Sequence, residues 1–410
     1  MFKKFFLLFF IILFVKNIAA QTNDNYSIIA EGSTGKVLLS KDLVKDFSYG
    51  FSAEIQWQTL GLHAWEHYLN YPSIGFGARF MTLGNSKFLG NMLSAYPYMR
   101  FSLIKSKIFK ADLQTGIGLA FLNKYYSNTP HTDKEDPLRI APGMNGEIGT
   151  MLNVFFTIGF GAEVPINKGL SIRAEISGNH ASNGNLGMPN HGVNIINSMV
   201  GLKLSPNWNK YLTYQNPQNP PDLPRNMQYE LTLSGGLRNL LYFSDKMYPM
   251  ASLAFAAYKP MTNWHRVGLG VDFFYSGIFS FISYPWQEHI YMVRACIDKY
   301  DLKNMFRAGV SFQNEILIGK LIAGFHVGVY FYDNIKNYQP YLTVYYRYLN
   351  GEGPLHRPLF YKYHINEQDG WCYGRVVGKY SFSKHLFAAV GIKTHLFRAD
   401  FIEFGLGYKF

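Results

Sequence analysis

Beyond its first twenty residues the chain has no run of 18 consecutive apolar residues, so no transmembrane helix is expected. Cysteine is scarce. Cys296 and Cys372 are the only two, which excludes a disulfide-stapled scaffold and a structural metal site built on cysteine alone. In an exported chain they could pair once or stay separate thiols. Charge is also sparse, at 16% of residues, although the balance is basic at +12. The basic residues are scattered. There is no Gly-rich phosphate loop, no zinc-finger spacing and no basic helix, so nucleic acid is not an expected partner.

The first twenty residues are expected to be removed. Lys3 and Lys4 precede an apolar run from Phe5 to Val15, and Ile18-Ala19-Ala20 offers a small-residue cleavage site. That is the pattern of a secretory signal peptide spanning 1–20. What remains is rich in rings and glycine, with 30 Tyr, 34 Phe and 38 Gly. Dense Tyr, Phe and Gly in short alternating stretches suits an all-β, transmembrane antiparallel barrel of the bacterial outer membrane. There, aromatic rings sit at both interfaces and alternate residues face lipid.

Period-two alternation recurs along the chain. It marks strands at 51–57, 74–80, 113–121, 151–164, 170–182, 192–204, 228–237, 251–258, 267–275, 306–312, 322–331, 341–348, 376–382, 387–395 and 401–410. The expectation is roughly 14–16 strands. Short turns fall at Asn167-Lys168-Gly169, 333–337 and 383–385, and longer polar loops near 125–148, 278–303 and 351–370. Residues 206–226 carry Pro206, Pro217, Pro220, Pro221 and Pro224 and cannot form a central strand. They separate residues 21–205 from 227–410. One closed barrel is favoured over two sheets, because open sheets would leave unpaired edges in lipid. The last strand alternates Ile402, Phe404, Leu406, Tyr408 and Phe410 with polar or small residues and stops on Phe410. It resembles the C-terminal signal read by the barrel-assembly machinery.

The stretch most suggestive of chemistry is His180-Ala181-Ser182-Asn183. Leu170, Ile172, Ala174 and Ile176 alternate with Ser171, Arg173, Glu175 and Ser177. Counting on in twos puts Gly178, His180 and Ser182 on the apolar, lipid-facing side. A histidine two residues from a serine on one strand face can take its proton, the minimum for a base-activated nucleophile. A loop from Asn183 to Gly192 leads into the next strand, which pairs antiparallel and brings Asn194 toward His180. Ser182 is then the candidate nucleophile, His180 the base and Asn194 the group that orients the imidazole. The Asn183 side chain or the Gly184 backbone N–H is a candidate oxyanion donor, with Asn190 and Gly192 supporting the loop. Glu175 and Glu147 are alternative acids, Glu175 the weaker because it falls on the opposite strand face.

This pattern resembles the outer-membrane lipid A 3-O-deacylases of the PagL type, which carry His-x-Ser-Asn on a barrel strand and an Asn-x-Gly-x-Glu element downstream. His180-Ala181-Ser182-Asn183 matches the first element. Asn190-His191-Gly192-Val193-Asn194 matches the second, with Asn194 where the family has an acid. Trp57-Gln58-Thr59-Leu60-Gly61, Trp65 and Tyr71-Pro72-Ser73-Ile74-Gly75 resemble the longer acyloxyacyl-hydrolase-like branch. The resemblance covers about residues 25–205 and offers the second half no counterpart among small eight-stranded members. It implies a serine esterase with no cofactor and no metal, acting on lipopolysaccharide in the outer leaflet. A basic chain suits that phosphorylated substrate. The other reading is an inactive barrel serving as pore, transporter or adhesin.

Two further clusters invite a metal. His63-Ala64-Trp65-Glu66-His67 has the spacing of inverted zinc proteases but would need both histidines on one face of a helix. The plainer expectation there is an aromatic turn at the membrane interface. His131, Asp133, Glu135 and Asp136 have oxygen donors for Ca²⁺, and a solvated loop is the simpler expectation.

Overall fold

A computed structural model of the chain describes residues 25–38, 44, 46–106, 108–126, 145, 147–206, 222–239, 247–280, 302–333, 360, 370–395 and 398–410. The expected signal peptide, Cys296, the cluster at 131–136, the strand expected at 341–348 and most of the proline-rich connection lie outside them. Sixteen strands are present among the described residues, at the top of the expected range, but they close twice rather than once.

The first barrel contains β1 (Tyr26–Val37), β2 (Ser48–Gln58), β3 (Ser73–Thr82), β4 (Asn91–Lys105), β5 (Lys110–Leu122), β6 (Leu152–Pro165), β7 (Leu170–Ser182) and β8 (Val193–Leu204). Each strand pairs with its neighbour, and β1 pairs with β8 to close the sheet. The second contains β9 (Gln228–Asn239), β10 (Met247–Pro260), β11 (His265–Ser276), β12 (Phe306–Ile318), β13 (Leu321–Asp333), β14 (Cys372–Ser381), β15 (Leu386–His395) and β16 (Arg398–Lys409), closed by β16 on β9. The expectation of a single closed barrel is therefore corrected. Open edges do exclude two open sheets, but two separately closed sheets have no edges either.

Two strands escaped the pattern search. β1 carries Gly32-Ser33-Thr34-Gly35 in its middle, which blurs the alternation. β4 holds Pro97, and its ladder with β5 is interrupted at Tyr96 and Pro97. Proline is normally confined to strand edges and irregularities, so β4 did not read as a strand. The segment 63–67 is not a plain turn. It contains a one-turn helix, α1 (Ala64–Tyr68), between β2 and β3.

Polarity is inverted relative to a water-soluble protein. Phe51, Phe160 and Leu269 on the outer surface are 61%, 62% and 70% exposed, while Arg79, Arg173, Glu54 and Glu315 are buried inside. Such an apolar exterior is stable only against hydrocarbon, and a closed barrel satisfies every backbone group across it. No helix among the described residues is long and apolar enough to cross a membrane, so the strands do the crossing.

Eight strands leave an interior just wide enough for side chains, and here charged pairs occupy it. In the first barrel Arg173 bridges Asp112 at 2.7 Å and Glu175 at 2.8 Å, and Arg100 reaches Glu54 at 2.9 Å. Gly159 and Gly161 make room for this network: a Cβ at Gly159 would lie 2.6 Å from the Glu175 carboxylate. Toward the end that carries Ser182 the filling turns apolar, with Met81, Leu89, Met92, Phe155, Ala181 and Val193 buried together. In the second barrel Lys379 meets Glu230 and Glu315, each at 2.7 Å, and Arg375 joins Asp272 at 3.0 Å to Glu403 at 2.7 Å. The pore reading assumed one wide lumen. Two narrow, filled barrels do not provide it.

Turn lengths orient the first barrel. The tight turns 106–109 and 166–169, with the α1 connection, lie at one end. The connections 123–151 and 183–192 lie at the other, beside Ser182. Periplasmic turns are short and extracellular loops long, and the two four-residue turns against the 29-residue connection 123–151 make the Ser182 end the one expected to be extracellular, although the α1 connection, 59–72, is itself 14 residues long.

Candidate active site

β7 delivers the site by simple alternation. Ser171, Arg173, Glu175, Ser177 and Asn179 point into the lumen and are buried. His180 and Ser182 therefore fall on the outward face. β8 pairs in register with His180 opposite Asn194, and β6 places Phe156 opposite His180 on the other side. The Phe156 ring lies 6.4 Å from the imidazole, centroid to centroid.

The three polar groups form one chain. His180 Nδ1 is 2.7 Å from Asn194 Oδ1, and His180 Nε2 is 2.9 Å from Ser182 Oγ. An amide oxygen only accepts, so Nδ1 carries the hydrogen. Nε2 is then the free lone pair, and the Ser182 hydroxyl donates to it. This is the arrangement a base-activated hydroxyl requires. The face is the expected one, but the exposure is not: Ser182 is only 4% exposed and Asn183 2%.

The loop is held by backbone contacts. Asn183 N–H donates to Asn190 Oδ1 at 2.9 Å. That use engages the Asn183 backbone N–H, so of the expected oxyanion donors the backbone one to consider is the Gly184 N–H, beside the Asn183 side chain. Gly184 has φ +61° and Gly192 φ +81°, both in the left-handed region that favours glycine. Gly192 matters for a second reason. A Cβ there would stand 2.7 Å from His180 Cε1, so the bare glycine backbone is the seat of the imidazole. The Glu147 carbonyl accepts from the His191 and Gly192 amides at 2.9 and 3.3 Å, and Ile148 bridges Asn190, tying the loop to the start of β6.

Neither alternative acid completes the chain. Glu175 points into the lumen and pairs with Arg173 at 2.8 Å, Arg79 at 3.6 Å and Arg100 at 3.7 Å. Glu147 serves the loop through its carbonyl. Burial pushes its carboxyl above the ordinary range, against an opposing pull from His191.

The His63–His67 segment lies at the opposite end of the barrel from Ser182. Its Glu66 is buried and accepts the Gly61 and Leu62 amides at 2.8 and 3.0 Å, a structural use of the carboxylate. No group of three or more metal-ligating side chains occurs among the described residues. Sequence reasoning missed Phe156 and the steric role of Gly192. Both depend on cross-strand register, which brings Phe156 opposite His180.

Comparison with known proteins adds an independent line. Residues 49–203 match the family model of lipid A 3-O-deacylase (PagL), and residues 227–349 and 359–410 match that of the acyloxyacyl hydrolase C-terminal domain. Together the two span most of the chain, including the second half. No curated protein shows a significant sequence match. Among solved structures, the crystal structure of the outer membrane enzyme PagL aligns at 16% identity over 43% of this chain and 98% of that one, with a TM-score of 0.28. Neisserial surface protein A aligns at 12% identity over 44% of this chain and 96% of that one, with a TM-score of 0.27.

Proposed function

This chain belongs to the lipid A 3-O-deacylase (PagL) and acyloxyacyl hydrolase family, and from that membership we propose that it is an outer-membrane serine esterase. Its substrate is an ester-linked acyl chain of lipid A in the outer leaflet. The observation that carries this reading is the continuous Asn194–His180–Ser182 chain, at 2.7 and 2.9 Å, on the lipid-facing side of an extracellular strand end.

The chemistry follows from the geometry. Ser182 Oγ attacks the ester carbonyl carbon while His180 Nε2 takes its proton. The resulting oxyanion is stabilised by the Asn183 side chain or the Gly184 N–H. The carbon–oxygen bond to the sugar then breaks, and the imidazolium returns the proton to the leaving sugar oxygen. Water, deprotonated by the same imidazole, releases the fatty acid and regenerates Ser182. Asn194 holds the Nδ1–H and so fixes which nitrogen acts as base, a role an amide can fill in triads of the cysteine-protease kind. It carries no charge, so the imidazolium is stabilised less than beside a carboxylate. No step needs a metal or cofactor.

The last strand fits delivery to the same membrane. Phe404, Leu406, Tyr408 and Phe410 are exposed on the outer face of β16 and just past its end, as the reading of a barrel-assembly signal requires.

A serine-directed phosphonate tests the nucleophile. One covalent adduct should form, map by peptide mass spectrometry to Ser182, and fail to form in folded His180→Ala protein. An adduct elsewhere, or none in the active preparation, would remove Ser182 from this role.

A further inference from the structure

The second barrel has a feature that the esterase reading does not use. The connections 261–264, 319–320 and 382–385, none longer than four residues, lie at one end, together with the start of β9 and the end of β16, while the longest ones, 277–305 and 334–371, lie at the other with 240–246 and the two-residue 396–397. By turn length this is its periplasmic end. Arg225, Lys259, Lys320 and Lys384 are exposed there, and Lys409 is partly exposed. Asp222 is the one side-chain carboxylate on that rim outside the lumen among the described residues, and Asn263 donates to it at 2.7 Å. The rim cations have neutral partners instead: Lys259 donates to the Arg225 carbonyl at 2.8 Å, Arg225 to the Met261 carbonyl at 2.5 Å, and Lys409 to the Ser381 hydroxyl at 2.7 Å. The nearest lumen acids, Glu230 and Glu315, are already paired with Arg266 and Lys379.

Exposed rings border the same rim. Tyr229, Trp264, Phe382, Tyr408 and Phe410 face outward, at the level where a bilayer gives way to its headgroups. Cations without carboxylate partners, next to an aromatic girdle, match the phosphate of a lipid whose tails lie along the barrel wall.

We propose that this rim binds anionic phospholipid headgroups of the periplasmic leaflet, with Lys259, Lys320 and Lys384 as the principal contacts. The assignment rests on the second barrel crossing a membrane and does not depend on the esterase reading, so either can fail alone.

The full-length protein, reconstituted into phosphatidylcholine vesicles with trace chain-spin-labelled phosphatidylglycerol or phosphatidylcholine, reads this directly through the motionally restricted fraction. Phosphatidylglycerol should be preferred, by up to about fivefold for each cation in contact. The preference should shrink at about 1 M salt, where screening acts within about 3 Å. It should fall toward unity in a folded Lys259→Gln, Lys320→Gln, Lys384→Gln variant, because glutamine keeps a donor and removes only the charge. No preference in the native protein, or the same preference in the variant, overturns the assignment. Loss of the preference on adding millimolar glycerol phosphate would mark a site for soluble anions and overturn the lipid assignment.

Discussion

Substituting Gly192 by alanine is the sharpest perturbation that leaves all the reacting groups in place. A Cβ at this position stands 2.7 Å from His180 Cε1, whereas non-bonded carbons settle at about 3.5–4.0 Å. The imidazole must therefore retreat by roughly 1 Å. It is pinned by hydrogen bonds of 2.7 and 2.9 Å to Asn194 and Ser182, and a retreat of that size carries at least one of them past the range of a hydrogen bond. A 1 Å misplacement in a catalytic arrangement costs about 10²-fold in rate. Separately, φ +81° costs a residue with a Cβ about 1–2 kcal/mol, which lowers the unfolding midpoint without preventing closure of an eight-stranded barrel. Initial rates of fatty-acid release from purified lipopolysaccharide should drop about a hundredfold, while the folded fraction, read by heat-modifiable gel mobility, stays high. A folded Gly192→Ala protein with a rate within about threefold of native would show that the imidazole does not rest on this glycine.

Asn194→Asp keeps the acceptor and adds a charge, so the rate should stay similar or rise; a loss beyond about tenfold, roughly 1.4 kcal/mol of barrier, would mean Asn194 does something an acid cannot. Glu175→Gln leaves Arg79, Arg100 and Arg173 short of a buried partner, so folding stability in detergent should fall by about 3–5 kcal/mol. Its rate per folded molecule should be unchanged, and a selective loss of rate would make Glu175 a catalytic acid after all. The pH profile follows from His180 acting as a neutral base. Below the pH at which its imidazole titrates, kcat/KM should fall tenfold per unit, and it should level off above it; a rate that climbs as pH drops would contradict a histidine base.

Local features were the legible ones. The alternation in β7, the Asn/Gly loop and the start of β8 were each visible in a few consecutive residues, and strand pairing brought His180, Ser182 and Asn194 together as their register implied. Closure was not legible, because it depends on which distant strands pair. Nothing within β1 or β8 announces that Ile29 will lie beside Lys203, and the proline-rich connection marks a division without saying whether the halves close together or apart. Pro97 hid β4, since a rule that is sound for most sheets fails where the ladder is interrupted. The filled lumen was half legible: Arg173 and Glu175 were visibly on the inner face, but their partners Asp112, Arg79 and Arg100 come from other strands. The near-burial of Ser182 had no local signal at all.

The measurement that bears most directly on the reaction is mass spectrometry of lipid A from cells with no copy of this protein, with the native chain, and with Ser182→Ala present in the outer membrane at equal level. Hydrolysis by Ser182 predicts that one acyl chain disappears from lipid A only with the native chain, the mass difference naming the chain removed. Loss of the same chain with Ser182→Ala, or an unchanged lipid A that carries the ester in all three strains, would contradict it.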